Sequence, residues 1–248
     1  MKISIITVVY NGEAFLEDCI KSVIAQDYAT IEYIVVDGGS KDGSLKIIDR
    51  YKEHISQFIS ERDNGMYDAL NKGIRMATGE VIGVLHADDM FASSDVIRSV
   101  ANCFISQNPD ALYGNLNYVD PLNTHKIIRK WISKPYTNRR IFLGWMPAHP
   151  TFYAKKTLFE AFGNYSLNYD SAADYELMVR FLFKYHVKAV FLNKLIVNMR
   201  TGGMSNATLK HRYKGLVNDY KALVANKVPF AAITIVLKKL SKITQFVH

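Results

Sequence analysis

Residues 3–12, ISIITVVYNG, decide the predicted fold. The first seven are apolar and rich in β-branched side chains, and Asn11-Gly12 ends the run, as is typical of a strand buried on both faces. Apolar residues recur at helical spacing between such runs, so we expect right-handed βαβ crossovers and an α/β fold with a mostly parallel central sheet flanked by helices. The other strands predicted in this part of the chain are residues 31–36, 55–59 and 81–85.

The second half of the chain alternates less regularly. Short strands are predicted at residues 111–113, 127–131, 151–153, 189–192 and 196–199. Helices are predicted at residues 156–162, 174–184, 208–225 and 230–247. No internal repeat or low-complexity linker divides the chain. We therefore expect one compact domain over residues 1–205 and a helical tail over residues 206–248.

Composition excludes several classes of protein. Of 248 residues, 49% are hydrophobic and 22% are charged, unlike disordered, collagen-like or low-complexity chains. Cys19 and Cys103 match no metal-binding or redox spacing, which favours a reducing compartment. The N-terminal apolar run lacks the small-residue cleavage site of a signal peptide. The sequence therefore predicts a cytoplasmic protein.

The formal charge of +8 is concentrated near the C-terminus. Residues 201–248 contain eight lysines and arginines and one acid, Asp219, which leaves residues 1–200 nearly neutral at +1. A neutral body argues against nucleic acid as a partner. A basic tail instead indicates a local anionic partner, either a membrane surface or a substrate that carries phosphate.

Polar and mostly acidic side chains follow each of the first four predicted strands. In an open parallel sheet, ligands bind beyond the carboxyl ends of the strands, so these groups should meet at one edge. Neither a Walker loop nor a dinucleotide fingerprint is present, which disfavours an NTPase or an NAD enzyme. The groups concerned are Thr7, Tyr10 and Asn11, Asp37 and Ser40, Glu61 and Asp63, and Asp88-Asp89.

The pair Asp88-Asp89 is the most informative of these groups. Two adjacent carboxylates directly after an apolar strand repel each other unless a cation lies between them. Carboxylate oxygens suit Mg²⁺ or Mn²⁺, which usually bind through one or two carboxylates and the phosphates of a substrate. A metal-bridged diphosphate is the ligand that this pattern favours. The alternative is a capped turn before a helix that begins near Ser94-Asp95.

Six stretches of the chain, in order from residue 3 to about residue 205, resemble an inverting glycosyltransferase of family 2 with the GT-A nucleotide-diphospho-sugar fold. Each alone is weak, but six in the family's order are specific. Two positions depart from the family pattern: Gly12-Glu13, where proline is common, and His86, where asparagine or threonine is common. The six stretches are IITVVYN (5–11), VVDGGSKDGS (35–44), ERDNGMYDALNKG (61–73), ADD (87–89), HPTF (149–152) and ADYEL (173–177).

The resemblance implies a role for each matching residue. Residues 1–110 would bind the nucleotide sugar and residues 111–205 the acceptor. Asp88 would face the ribose and the metal, and Asp89 would be the principal ligand of Mn²⁺ or Mg²⁺. Asp174 matches the general base. The remaining residues would contact the nucleotide: Thr7, Val8 and Tyr10 around the base and ribose, Asp37 on the base, and Asp68 and Asn71 in a stretch that closes over it.

The second half of the chain offers several reacting groups, each with a structural alternative. A single inverting displacement needs one base on the face opposite the leaving group. Asp174 would serve, or else cap its helix, and Glu176 is the alternative base in a helical turn where carboxylates often oppose the dipole. His149 would contact the acceptor or a phosphate, or be structural. Arg200 would neutralise leaving-group charge, or lie in a surface loop.

The predicted tail helix carries Ile233, Leu237, Leu240 and Val247 near one stripe, beside lysines. Its apolar stretch is too short to span a bilayer. Residues 228–248 would therefore lie on the inner face of the cell membrane as a basic amphipathic helix, or pack on the domain or on a second subunit of a homodimer.

These observations predict a glycosyltransferase that moves a sugar from a nucleotide donor, with UDP expected, onto a glycan or polyprenyl-linked acceptor in surface polysaccharide synthesis. One rival is a sugar nucleotidyltransferase, although the chain lacks its glycine-rich basic loop after the first strand. The other is a noncatalytic module that binds nucleotide sugars or glycans.

Overall fold

The computed structural model describes residues 1–202 and 209–243, with side chains described for residues 1–202 and 213–238. Parts of two predictions lie outside these ranges: the glycine-containing segment after Arg200, and the end of the tail helix, which includes Val247.

The first half of the chain is a parallel βαβ unit. Strand β1 is buried at all seven positions, because helices cover both faces of the sheet at its centre. Helix α1 buries Leu16, Cys19, Ile20 and Val23, the spacing that places side chains on one helical face. The elements are β1 (Ile3–Val9), α1 (Leu16–Ile24), β2 (Ile31–Asp37), α2 (Ser44–Arg50), β3 (Gln57–Ser60), α3 (Met66–Met76) and β4 (Val81–Val84).

The second half of the chain extends the same sheet with mixed pairing. The full strand order is β3-β2-β1-β4-β8-β6-β9-β5, and β7 pairs with β6. Short 3-10 turns occur at His149–Thr151 and Leu167–Ala172. The elements are β5 (Asp89–Phe91), α4 (Val96–Gln107), β6 (Ala111–Val119), β7 (Ile127–Trp131), α5 (Asn138–Phe142), β8 (Tyr153–Lys155), α6 (Lys156–Phe162), α7 (Ala173–Val179), β9 (Ala189–Arg200), α8 (Leu209–Ala225) and α9 (Ala231–Ile243).

The predicted α/β architecture, with a central sheet and flanking helices, is confirmed. Strands β1 to β4 are parallel throughout, whereas β8 pairs antiparallel with β4 and β6, and β5 antiparallel with β9. The two predicted strands at 189–192 and 196–199 are one strand, β9. It pairs with β6 on both sides of the polar residues Asn193-Lys194, where the register shifts. The helix predicted at 174–184 ends at Val179 and continues as a π-helical turn.

The two C-terminal helices share a core with the rest of the chain. Ala222 and Leu223 of α8 are fully buried and belong to the hydrophobic cluster that contains α3, α6 and α7. Lys238 of α9 forms an ion pair of 2.7 Å with Asp219, and its Nζ lies 3.3 Å from the ring centroid of Tyr175. Packing on the domain, one of the two alternatives for the tail, is therefore present in the structure.

Gly73 marks the place where α3 approaches the centre of the sheet most closely. A Cβ atom there would lie 2.4 Å from Cγ2 of Ile6 in β1, well inside contact distance. Gly215, in α8, is a matched contrast, because a Cβ there would meet only Ser171 Oγ, at 3.7 Å.

We expect Gly73→Ala to lower the free energy of unfolding by about 1–3 kcal/mol, since α3 or β1 must shift to relieve the overlap. Gly215→Ala should instead raise it by about 0.4–1 kcal/mol, because alanine reduces the entropy of the unfolded chain. Urea unfolding of both variants tests this. Equal effects in the two helices would contradict the close approach of α3 to β1.

Candidate active site

Asp37, the last residue of β2, organises the loop that follows it. Its Oδ2 accepts hydrogen bonds from the backbone amides of Gly39 and Ser40, at 3.0 Å each, and from the Ser60 hydroxyl, at 2.7 Å. Gly39 adopts a φ of +80°, which glycine tolerates and other residues rarely do. The other oxygen, Oδ1, is buried and has no hydrogen-bond partner among the described residues. This leaves one acceptor at the sheet edge that the protein does not satisfy.

Tyr10, which the resemblance assigns to the base and ribose pocket, lies beside this loop. Its side chain is 65% exposed, and its ring is close to Gly38, where an added Cβ would lie 3.4 Å from Cδ2 of the tyrosine. The Asn11 side chain accepts from the Lys41 amide at 2.9 Å, which ties the ends of β1 and β2 together. An exposed aromatic ring beside an unpaired carboxylate oxygen can stack on a planar base that also donates a hydrogen bond.

The side chains of Thr7 and Val8 do not reach this edge. Thr7 is fully buried, and its hydroxyl accepts from the Tyr33 hydroxyl at 3.2 Å and lies 3.7 Å from Cys19 Sγ. Val8 is buried in the opposite face of the sheet. Both side chains belong to the core, and these residues affect the edge only through the path of their backbone.

Asp68 and Asn71 hold loops in place. Asp68 Oδ2 accepts from the Asn64 backbone amide at 3.0 Å, at the start of α3. The Asn71 side chain both donates to the Tyr165 carbonyl, at 2.8 Å, and accepts from the Tyr165 amide, at 3.0 Å. Asn71 thereby joins α3 to the loop that leads to α7.

Asp89 is the most unusual carboxylate of the structure. It is fully buried, and neither carboxylate oxygen has a partner with hydrogen-bond distance and angle among the described residues. Burial, and then repulsion by Asp88, raises the pKa of Asp89 well above its usual range, although the backbone N–H and the positive charge of Arg200 oppose the shift. A buried carboxylate without partners is costly, and a cation relieves that cost.

The oxygen atoms of Asp88 and Asp89 suit a hard divalent cation, which needs only one or two protein carboxylates when phosphates supply the remaining ligands. Among the side chains that the structure describes, those of residues 1–202 and 213–238, no cluster of three or more histidine, cysteine, aspartate or glutamate residues could hold a metal ion. Two adjacent carboxylates fit a cation shared with a substrate. They do not form a cage made by the protein alone.

Arg200 contacts protein groups on all sides. Its guanidinium group pairs with Asp18 at 2.5 Å and donates to the Asp88 carbonyl at 2.9 Å and the Pro121 carbonyl at 3.2 Å. It is 3% exposed and lies over the Phe15 ring. The alternative of a surface loop is wrong for Arg200, since the residue ends β9 and anchors the turn that carries Asp88 and Asp89.

Asp174 lies in the first turn of α7, and both of its oxygens are engaged. Oδ2 is 3.1 Å from His149 Nδ1, and Oδ1 accepts from the Tyr67 hydroxyl at 3.2 Å. The N-cap position is Ala172, so the alternative that Asp174 caps its helix is wrong. Glu176, the alternative base, is buried in an ion pair of 3.0 Å with Arg180 and accepts from Asn226 at 3.1 Å.

His86, where the family usually has a smaller polar residue, lies next to this group. Its ring centroid is 5.4 Å from that of His149, in an edge-on arrangement. Burial, and then repulsion by His149, lowers the pKa of His86 to about 3. His86 is therefore a neutral ring at physiological pH.

Several neighbours of the predicted residues were not foreseen from the sequence. In the sheet, Asp89 and Tyr118 are both register partners of Met199, and Arg129 is the register partner of Tyr118, so these side chains lie on one face. Trp131 stacks on Tyr118 at 6.3 Å, and Trp145 packs edge-on against Tyr113 at 5.8 Å. The one available signal for Trp131 and Arg129 was their alternate spacing in a predicted strand.

Comparison with known proteins identifies the family. The profile of glycosyl transferase family 2 matches residues 4–165. An uncharacterized glycosyltransferase of Mycobacterium tuberculosis is 31% identical over 180 residues, which are 72% of this chain and 68% of that protein.

Solved structures share the fold. A crystal structure of S. aureus TarS in complex with UDP superposes with a TM-score of 0.70 at 18% identity, covering 94% of this chain and 68% of that one. A mannosyltransferase of Pyrobaculum calidifontis in complex with GDP-Man and Mn²⁺ gives a TM-score of 0.67 at 16% identity, covering 95% and 69%.

Asp89→Asn tests the burial of an unpaired carboxylate in the metal-free protein. Because the folded-state pKa of Asp89 lies above its unfolded value, the folded chain keeps a proton that the unfolded chain releases, and stability falls as pH rises above about 4. We therefore expect the variant to gain stability relative to the wild type between pH 4.5 and pH 7.5, measured by urea unfolding with a chelator.

Asp49→Asn is the matched control, because Asp49 is exposed and its substitution should change stability by about 0.5 kcal/mol or less at both pH values. A loss of stability in Asp89→Asn that grows with pH would show that a protein group already compensates this carboxylate.

Proposed function

The chain belongs to glycosyl transferase family 2, and from that membership we propose that it moves a sugar, with inversion at the anomeric carbon, from a nucleoside diphosphate donor to a hydroxyl group of an acceptor. Residues 1–110 would bind the donor and residues 111–205 the acceptor. We propose UDP as the nucleoside diphosphate.

The observation that carries this proposal is the fully buried Asp89, with two unpartnered carboxylate oxygens beside Asp88. A divalent cation bound there would neutralise the charge that develops on the departing diphosphate. Asp89 and Asp88 would hold it, and Arg200 would keep their turn in place through the Asp88 carbonyl. The complexes of related folds with UDP, and with GDP-Man and Mn²⁺, support a sugar nucleotide with a cation.

The other end of the donor would lie between Tyr10 and Asp37. The exposed Tyr10 ring offers a stacking surface worth about 1–3 kcal/mol for a nucleobase. Asp37 Oδ1, buried and unpaired, would accept a hydrogen bond from a ring N–H group. A uracil ring carries such a group at N3.

Asp174 would supply the basicity that an inverting displacement needs. Its helix, α7, and the turn that carries His149 place a carboxylate–imidazole pair at the same end of the molecule as His86, two residues before Asp88. Such a base acts on the acceptor hydroxyl from the face opposite the leaving diphosphate.

The acceptor that we propose is a glycan or a polyprenyl-linked sugar in surface polysaccharide synthesis, reached from the cytoplasmic face of the membrane. No helix within residues 1–202 and 209–243 is long and apolar enough to cross a bilayer. We propose that the chain contacts the membrane through a surface of its C-terminal helices.

The outer side of the two C-terminal helices fits an anionic lipid surface. Phe230, Ile233 and Val236 are 75%, 58% and 58% exposed, and Lys221 and Lys227 are exposed near them in sequence. The acid in residues 201–248, Asp219, is paired with Lys238. Two copies of this surface would bring lysines together, whereas anionic lipids attract lysines and accept apolar side chains.

Loss of either reacting carboxylate should abolish turnover. We expect Asp89→Ala and Asp174→Asn each to reduce the Mn²⁺-dependent release of UDP or GDP from a panel of UDP- and GDP-sugars by about 10²-fold or more. Asp49→Asn should retain wild-type rates. Near-normal release in both site variants would exclude this mechanism, and binding of UDP without any turnover by the wild type would identify a noncatalytic module.

Ile233→Glu combined with Val236→Glu should weaken flotation with vesicles that contain phosphatidylglycerol, since it adds charge that the lipid repels. Ile105→Glu, at a 64% exposed position on α4, is the matched control and should float as the wild type does. Unchanged flotation of the double variant, or its conversion from dimer to monomer, would contradict membrane contact through this surface.

A further inference from the structure

The pair formed by His149 and Asp174 has the geometry of a charge-supported base. The Nδ1 atom of His149 is 3.1 Å from Oδ2 of Asp174, a hydrogen-bonding distance. A neutral imidazole carries one proton, and an unprotonated ring nitrogen at this distance would repel the carboxylate oxygen, so the proton of a neutral His149 ring belongs on Nδ1. That tautomer leaves the lone pair of Nε2 free to accept a proton.

Access distinguishes the two side chains. The His149 side chain is 34% exposed and the Asp174 side chain 19%. Asp174 Oδ1 accepts a hydrogen bond from the Tyr67 hydroxyl, and Oδ2 lies 3.1 Å from His149 Nδ1. Among the described residues, His149 Nε2 has no hydrogen-bond partner. The atom of the pair that remains available to a substrate is therefore an imidazole nitrogen.

The backbone holds His149 in this position. The Thr151 hydroxyl, fully buried, donates within the turn to the Ala148 carbonyl at 2.8 Å and lies 3.2 Å from the Gly114 carbonyl and amide. Pro150 is buried and fixes its own φ. The turn that carries the His149 ring is hydrogen-bonded to β6, so the structure positions the ring in the absence of a substrate.

We propose that His149 and Asp174 act together, with His149 Nε2 as the atom that takes the proton from the acceptor hydroxyl. This inference rests on the proposed function and assigns the proton-accepting atom within it. As the acceptor oxygen forms its bond to the anomeric carbon, the bond from that carbon to the diphosphate oxygen breaks and its electrons leave with the diphosphate. The acceptor proton passes to Nε2, and Asp174 stabilises the imidazolium until water removes the proton.

The groups around the pair are consistent with this role. The His86 ring faces the His149 ring edge-on, with 5.4 Å between the ring centroids. Tyr67 and Tyr165 face Asp174, and burial raises the pKa of both hydroxyls well above the usual range. Tyr118 also lies within electrostatic range of Asp174. The carboxylate of Asp174 is therefore the charge that supports the imidazole.

His149→Asn separates the proton-accepting role from a positioning role. The asparagine amide can still donate to Asp174 from near the place of Nδ1, but it has no basic nitrogen. We expect His149→Asn and His149→Ala each to lower kcat for UDP or GDP release by about 10²-fold with little change in KM for the sugar nucleotide, and added imidazole to restore part of kcat in His149→Ala. His125→Asn, at an exposed histidine, should match the wild type.

Two outcomes would overturn the inference while leaving the proposed function intact. One is a His149→Asn variant that keeps most of the wild-type kcat while Asp174→Asn does not, because Asp174 would then be the direct base. The other is a ¹⁵N-histidine spectrum in which the ring assigned to His149, by its loss in His149→Asn, carries its proton on Nε2. Full activity in both His149→Asn and Asp174→Asn would refute both assignments of the base, and an absence of UDP or GDP release by the wild type would instead refute the proposed function.

Discussion

The burial of the Asp89 carboxylate is the constraint on which the site depends. The side chain is fully buried, its two oxygens lack partners among the described residues, and Asp88 adds a second negative charge at its side. Such an arrangement is unfavourable in the protein alone. Strand pairing holds the carboxylate in this position, because Asp89 begins β5 and β5 pairs with the long strand β9.

The residues around Asp89 and at the neighbouring strand ends make contacts that position the groups of the site. Arg200 ends β9, donates a hydrogen bond to the Asp88 carbonyl and pairs with Asp18 of α1. Its buried guanidinium group thus joins the second half of the chain to the first. Asp37 uses one oxygen to shape its loop and leaves the other unpaired. His149 and Tyr67 come from two different elements, and both contact Asp174 of a third, one at each carboxylate oxygen. The unpaired oxygens of Asp89 and Asp37 are hydrogen-bond acceptors. In the proposed function, a cation and the N–H group of a nucleobase would satisfy them.

Much of the fold could be predicted from sequence because its first half obeys local rules. Strand β1 covers the apolar run at residues 3–9 and ends before Asn11-Gly12, as the sequence predicted. The antiparallel additions β5 and β8 are three residues each, too short to give a periodic pattern, and they exist because β9, β4 and β6 offer edges to pair with. The strands predicted separately at 189–192 and 196–199 are one strand because β9 pairs with β6 on both sides of Asn193-Lys194, where the register shifts.

The sequence predicted some residues of the site better than others, because local patterns reveal strand ends but not contacts between distant parts of the chain. Carboxylates at strand ends are visible in the sequence, and Asp37 ends β2 as expected, whereas Asp89, expected to follow the fourth strand directly, begins β5. The contact of Tyr67 with Asp174 joins residues 107 positions apart, and no local pattern encodes such a contact. Thr7 was expected at the nucleotide because it precedes the strand end, yet strand alternation turns its side chain into the core.

The most direct test of the central claim is a calorimetric titration of the wild-type protein with UDP and with GDP, in Mn²⁺ and in EDTA. If Asp88 and Asp89 share a cation with a diphosphate, one nucleotide should bind at least about tenfold more tightly with Mn²⁺ than without it, which corresponds to about 1.4 kcal/mol. Equal affinities in Mn²⁺ and EDTA would contradict a cation-bridged diphosphate at this sheet edge.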